Sequence, residues 1–295
     1  MKQTAGSTNR QFSVRAISTA LGYSRQYFYK HCKQQQRNIV LQRTVLNLVQ
    51  AERKILPMLG GKKIYYQIKP MLRTQSIKMG RDKLFRLLWE HCLLIKPKRR
   101  YTVTTNSKHW LKKYPNIVKN RVITGPEQVW VSDITYINTD EGNCYLNLVT
   151  DAYSRKIMGY AIAKNMNTEE MKKAYEMAIA NRVYPNNNLA HHSDRGLQYC
   201  SSNYVQLSTD NNISISMTEN GDPYENALAE RMNRTLKDEF GLGRIISTRQ
   251  QAYQLAAEAV ELYNNRRPHL TLNMKTPNKV HLQKNPGYMR QPGFN

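Results

Sequence analysis

The excess positive charge of this 295-residue chain is confined to its first 124 residues, so any fold it adopts must divide two tasks between two regions. Residues 1–124 carry 27 lysines and arginines against three acids, Glu52, Asp82 and Glu90, whereas residues 125–295 carry 18 of each sign. A net charge of +24 suits a polyanionic partner. The pattern predicts a basic docking region followed by a neutral region free to do chemistry. With 40% apolar residues the chain can bury a sizeable core. The first 30 residues contain Lys2, Arg10, Arg15 and Arg25 and no apolar run, which excludes a secretory segment there. No run reaches the roughly 18 apolar residues of a membrane span. Cys32, Cys92, Cys144 and Cys200 are scattered with no CxxC, against both a disulfide scaffold and a cysteine zinc site. A reducing, cytoplasmic setting is expected.

Within the basic region, residues 13–33 read as two short helices about Gly22, the second capped by Ser24 and presenting Arg25, Gln26, Tyr29, Lys30 and Lys33. This has the form of a helix-turn-helix, whose second helix enters a major groove; an ordinary helical hairpin with a solvated basic face is the alternative. Residues 39–56 predict an amphipathic helix with Leu41, Leu48 and Ile55 seven apart. A second unit of the same type follows, in which residues 81–94 put Leu84, Leu87, Leu88 and Cys92 on one face, with Arg81 and Lys83 elsewhere. Residues 96–126 cluster Lys98, Arg99 and Arg100 with Tyr101, Trp110 and Tyr114, and read as a basic linker lying along a phosphate backbone, or as a solvated tether.

From Gln128 the periodicity changes. Three β-branched and aromatic runs at 128–140, 144–154 and 155–164 predict strands, the first two joined by a turn at 140–143. A helix at 167–182, a strand at 189–194, a helix near 202–211 and a strand at 213–217 complete a βββαβαβ order. That order is the ribonuclease-H-like arrangement, a mixed sheet flanked by helices. A further helix is predicted over 220–240, with Asp222 as its cap, Pro223 in its first turn and Glu225 three residues past the cap. Asn226, Glu230, Asn233, Arg234 and Lys237 share one face of it, opposite Ala227, Leu228 and Leu236. Residues 248–265 predict another helix, with Ala252, Leu255, Ala256, Ala259 and Leu262 on its inner face. Arg266, Arg267 and His269 then lie either close to DNA or in a solvated loop.

Combining these elements brings out a carboxylate chemistry. Asp133 lies within the first strand, Asp194 ends the fourth and Glu230 projects from the following helix. Mg²⁺ prefers oxygen ligands, and three converging carboxylates could hold two ions for in-line phosphoryl displacement, with Mn²⁺ as a substitute. Each acid also has a structural reading: Asp133 bonding backbone at a sheet edge, Asp194 as a turn residue before Gly196, Glu230 as an exposed helix glutamate. Asp151 competes with Asp194 for the second position, or bonds Ser154 or Arg155 in its own turn. His191 and His192 are expected to pack or to order Asp194, since hard Mg²⁺ does not select imidazole.

The strings WVSDITY (130–136), DAYSRKIMGY (151–160), HSDRGLQY (192–199), SMTENGDPYENALAER (216–231), TLKDE (235–239) and YNNRRPH (263–269) resemble those of DDE transposases of the insertion-sequence-three family, in particular their second-frame product. The resemblance spans roughly residues 60–285. It implies an α/β, ribonuclease-H-like, integrase-type catalytic core preceded by helix-turn-helix-type DNA-binding modules. It also implies the Mg²⁺-dependent triad Asp133, Asp194 and Glu230, and Lys237 as a contact to terminal DNA. The expected division is 1–58 and 59–100 as two helical modules, 101–126 as linker, 127–245 as catalytic core and 246–295 as a helix with a basic tail. Arg25, Lys30, Arg81, Lys83, Lys98, Arg99, Arg100, Asn226, Arg234 and Lys237 are the candidate DNA contacts. The implied partners are double-stranded DNA, further copies of the chain and a first-frame helix-turn-helix protein. A nuclease without strand joining and a non-catalytic DNA-binding regulator are the competing readings.

Overall fold

The computed structural model describes residues 13–95, 113–219 and 226–283. Its N-terminal region is helical: α1 (Val14–Ala20), α2 (Arg25–Ile55), α3 (Gly61–Thr74) and α4 (Arg81–Glu90). Ser24 caps α2 by accepting a hydrogen bond from Tyr27 N, and Gly22 makes the turn before it at φ +72. The two helices expected at 24–33 and 39–56 are one, because the intervening QQQRN contains neither glycine nor proline and Gln34 bonds Asn38 one turn on. Only the C-terminal half of α2 is packed. The buried row is Val45, Val49 and Glu52, at true helical spacing, while Ile55 of the expected seven-residue row is exposed. These side chains meet Ile64, Ile68 and Leu72 of α3 and Leu84, Leu87 and Leu88 of α4 in one core. Cys92 does not join them; α4 ends at Glu90 and Cys92 is exposed at φ +53.

Three antiparallel strands follow, β1 (Val129–Ile137), β2 (Cys144–Asp151) and β3 (Ile157–Ala163), then α5 (Thr168–Ala180), β4 (Ala190–Ser193), α6 (Ser202–Asp210) and β5 (Ser214–Met217). The sheet order is β3-β2-β1-β4-β5, with β4 parallel to β1 and β5 parallel to β4. This is the expected mixed sheet of βββαβαβ order. Both faces are covered, so the inner strands are buried almost throughout. Trp130 and Val149 pack against Met171, Ala174, Tyr175 and Ala178 of α5 and Tyr204 of α6. Leu146 and Leu148 face the other way, onto α7 (Ala227–Glu239) and α8 (Arg249–Asn265), and that core runs on into the N-terminal helices. The cap signals expected at Asp222, Pro223 and Glu225 lie outside the described residues.

Residues 113–126 are more than a tether. Ile117 N donates to Ser216 Oγ of β5 at 3.1 Å, Tyr114 packs with the α5-side core, and Val118 and Ile123 pack on Val129 and Val131. Lys98, Arg99, Arg100, Tyr101 and Trp110 lie outside the described residues. Among the described residues no helix is long and apolar enough to cross a membrane.

The arginine expected near DNA after α8 is internal. Arg267 is 6% exposed and forks onto Glu239, the last residue of α7, through Nε–Oε2 at 2.7 Å and Nη2–Oε1 at 2.6 Å. Lys63 of α3 reaches Glu239 Oε1 at 3.3 Å, so one carboxylate ties together three distant stretches of chain. Burial opposes the charge on Glu239, but the hydrogen bonds and charge of Arg267, with Lys63, prevail and hold its pKa below the ordinary value. His269 accompanies Arg267 at 2.8 Å, and burial, then the charge of Arg267, hold it neutral with a pKa of about 2. Arg266 is exposed. Removing one partner of a buried ion pair strands the other, at about 3–5 kcal/mol. Glu239→Ala should therefore lower the urea-unfolding free energy by about 3 kcal/mol or more, and Arg267→Ala should leave the salt dependence of DNA binding unchanged because no phosphate contact is lost. A reduced salt slope for Arg267→Ala would place that guanidinium on DNA after all.

Candidate active site

The site arises where the parallel pairing stops. β4 pairs with β1 only over Val129–Ser132, ending at the register pair Ser132 and Ser193. One residue further along are Asp133, in the middle of β1, and Asp194, just past the end of β4, so the two aspartates flank the point where the parallel pairing stops. Beyond that point β1 keeps β2 on one side as far as Ile137 but has lost β4 on the other. Both aspartates line a cleft of about 470 Å³ that opens there.

Each carboxylate is held by short-range donors. Asp133 Oδ1 accepts from Ile134 N at 2.9 Å and Oδ2 from Asn233 Nδ2 of α7 at 2.8 Å. Asp194 Oδ1 accepts from Gly196 N at 3.0 Å, so this residue serves the turn as well as lining the cleft. Glu230 stands exposed on the first turn of α7. Burial and then the charge of Asp194 push Asp133 up to about 7, with a smaller push from Glu230, against the lowering effect of its two hydrogen bonds. Glu230 is also raised, by desolvation and then by Asp194. Three negative groups thus feel one another. Among the described residues no three His, Cys, Asp or Glu side chains stand close enough to hold a metal ion between them; Asp133 and Asp194 share the cleft, and Glu230 is outside its lining but within electrostatic reach of both. The donor set fits a hard, oxygen-preferring cation, because it contains only carboxylates and their mutual repulsion is what such an ion relieves.

The polar face of α7 is split by its seat on the sheet. At about 100° per residue the five positions span an arc, with Asn233 and Asn226 at one edge and Arg234 at the other. The buried residues are Ala229, Met232, Asn233 and Leu236, so the helix rests on the side adjoining Asn233. Asn226, expected to contact DNA, is buried, and its Nδ2 donates to Ser132 O at 3.0 Å. Lys237 lies at the border with its ammonium 4.4 Å from the centre of the Tyr136 ring. Burial lowers its pKa, while Asp133 acts to raise it. Arg234 is exposed and 3.8 Å from Asp238. Arg25, Lys30, Arg81 and Lys83 are all exposed on the N-terminal helices.

Asp151 does not compete for the site. It is fully buried, and its carboxylate accepts from Ser154 N, Ser154 Oγ and Glu127 N, each at 2.7 Å. His281 of α9 (Pro277–His281) completes this network by bonding Ser154 Oγ at 2.9 Å and Glu127 Oε1 at 3.1 Å, and so fixes the C-terminal helix to the sheet. His191 and His192 pack, as expected: His191 lies 4.6 Å from the Tyr175 ring and bonds Ser132 Oγ at 2.7 Å, while His192 Nδ1 bonds Ser216 Oγ at 2.9 Å. Burial, and then His192, lower the pKa of His191 to about 3. Sequence reading missed Asn233 as the partner of Asp133, although its place on the face of Glu230 was a usable signal. It also missed the cleft wall of Tyr136, Tyr145, Met166 and Leu197, whose members come from separate segments.

Residues 123–223 match the Integrase core domain model, and residues 211–277 match a second model of the same description. The insertion element IS600 uncharacterized 31 kDa protein of Shigella sonnei is 37% identical over 72% of this chain and 78% of its own length. The transposase for insertion sequence element IS904 of Lactococcus lactis is 31% identical over 72% of this chain and 84% of its own. Transposase InsF for insertion sequence IS3A of Escherichia coli is 29% identical over 78% and 80%. The HTLV-2 integrase catalytic core domain superposes with a TM-score of 0.43 at 18% identity, over 53% of this chain and 97% of that one. The chain belongs to the integrase-core transposases of the insertion-sequence-three family, enzymes of the polynucleotidyl transferase type.

Proposed function

We propose that this transposase cuts DNA at the ends of its element and joins the freed 3′-hydroxyls to a second strand, with Asp133, Asp194 and Glu230 as ligands of two Mg²⁺ ions. The observation that carries this reading is the placement of Asp133 and Asp194 side by side, one step past the last β1–β4 pair and lining one cleft. Bound Mg²⁺ or Mn²⁺ would supply Lewis-acid stabilisation to the entering and leaving oxygens of an in-line displacement at phosphorus. Water is the first nucleophile and the liberated 3′-hydroxyl the second.

The residues around the cleft do the rest. Asn233 and Ile134 N fix the Asp133 carboxylate in orientation, and Asn226 holds the Ser132 carbonyl just before it. Lys237 brings a positive charge beside Tyr136 for a phosphate near the cut. Arg25, Lys30, Arg81 and Lys83, with Arg234 at the rim, are proposed to hold duplex phosphates. Such sequence-independent contacts leave the neutral region free to gather carboxylates. We propose that the protein works as an oligomer on paired DNA ends, with a first-frame helix-turn-helix protein as a further partner.

The direct test is cleavage of DNA carrying the element's ends, in Mg²⁺ and in EDTA. Asp133→Asn, Asp194→Asn and Glu230→Gln should each lose more than about 10²-fold in rate, while Asn233→Ala should lose about 10–100-fold, as partners of metal ligands do. A pre-cut end with a free 3′-hydroxyl should appear joined to target DNA. Cleavage without joined product would make the protein a nuclease, and activity surviving Asp194→Asn would make the carboxylates dispensable.

A pH dependence follows from Asp133. Its folded-state pKa of about 7 exceeds the ordinary value of 3.8, so between those values the folded state keeps a proton that the unfolded state loses. Stability of the metal-free protein from this group is therefore full below about pH 4 and is lost as pH rises to about 7. Thermal melts from pH 5 to 8 should show this decline, Asp133→Asn should flatten it, and Mg²⁺ should raise Tm more at pH 8 than at pH 6. An unchanged slope in Asp133→Asn would remove Asp133 as its source.

A further inference from the structure

The cleft that holds Asp133 and Asp194 is acidic only in part. Its lining also includes Tyr136, Tyr145, Met166 and Leu197. Met166 and Leu197 are 43% and 44% exposed, so their apolar surface is open to a molecule entering the cleft. Tyr136 and Tyr145 are direct register partners on neighbouring strands, so both rings belong to one short stretch of the β1–β2 pair. The Lys237 ammonium, 4.4 Å from the Tyr136 ring centre, braces that ring and adds a positive charge to the rim of the wall.

A phosphodiester alone does not use such a wall, since phosphate oxygens seek donors and cations. The apolar face that a nucleic acid can offer is the flat face of a base, and in a duplex neighbouring bases cover it. Aromatic rings and a thioether suit that face whatever the base. The cleft, at about 470 Å³, falls within the roughly 300–1,000 Å³ of sites that bury one small ligand, and two paired strands do not fit it.

We propose that the Tyr136, Tyr145, Met166 and Leu197 wall binds one unstacked nucleobase of the DNA end, next to the phosphate that is cut. This rests on the phosphoryl-transfer reading above and adds to it a site for a base. The end must then open by at least one pair before cleavage, and base identity at that position should matter less than the presence of a base.

The test pairs protein variants with altered DNA. Single-turnover cleavage by the full chain in Mg²⁺ is measured on end duplexes that are intact or carry one abasic nucleotide, placed in turn at each position flanking the cut. On intact DNA, Tyr145→Ala and Met166→Ala should each slow cleavage, Tyr145→Ala by about 10- to 100-fold, the worth of one base–aromatic contact. At one flanking position the abasic nucleotide should slow the wild type similarly and shrink the Tyr145→Ala penalty to less than about twofold. Tyr145→Phe should retain the wild-type rate, which separates loss of a ring from damage to the fold. A Tyr145→Ala penalty that is undiminished at every abasic position would overturn the base site while leaving the phosphoryl-transfer reading in place. A wild type that cuts no end DNA would overturn both.

Discussion

The early end of the β1–β4 pairing is the constraint on which the rest of the site depends. Four residues of parallel ladder align the strands, and the next residue on each is an aspartate beyond the last β1–β4 pair, Asp133 keeping only its β2 partner Leu148. Two carboxylates so placed cannot move apart without breaking strands whose residues Val129, Trp130 and Ala190 are fully buried. The raised pKa of Asp133 reflects burial first and then their repulsion, both carried by the fold. Burial of hydrophobic groups on both faces of the sheet keeps negative charges together that would disperse in a softer structure.

Helix α7 relates this charge to the rest of the molecule. It presents Glu230 at its start, Asn233 and Lys237 along its length, and Glu239 at its end. The forked Arg267 and the Lys63 ammonium anchor that last carboxylate, so the helix that brackets the cleft is tied to α3 of the basic region and to the segment after α8. Buried ion pairs of this kind add little net stability but punish any misplacement, which suits an element that must hold its register. The acids of residues 125–295 are thus divided between pairing inside the core and the cleft.

Much of the fold was legible because each element carried its own period: β-branched runs for β1 to β3, helical spacing at Leu84, Leu87 and Leu88, and a turn at Gly142 with φ +101. The positions of Asp133 within β1 and of Asp194 at the end of β4 could be read in the same way. Features set by tertiary contact could not. Nothing local says that Arg267 turns inward to Glu239, that Asp151 is spent on Ser154 and Glu127, or that His281 closes that network from 127 residues beyond Ser154. The split of the α7 face was half legible: periodicity grouped the five polar residues, but only the seat of the helix on the sheet decides that Asn226 and Asn233 go inside and Arg234 stays out. Charge counting puts the excess charge in the first 124 residues but cannot distinguish a solvated guanidinium such as Arg266 from a paired one such as Arg267.

The central claim is that the side-by-side aspartates, with Glu230, grip divalent cations while DNA is bound. Anomalous scattering from Mn²⁺ in crystals of the protein with its end DNA measures this directly. Density touching the carboxylates of Asp133 and Asp194, with Glu230 drawn in to complete the shell, is the expected result. Manganese found elsewhere, or Glu230 remaining apart from any ion in a complex that still cuts when dissolved, would contradict it.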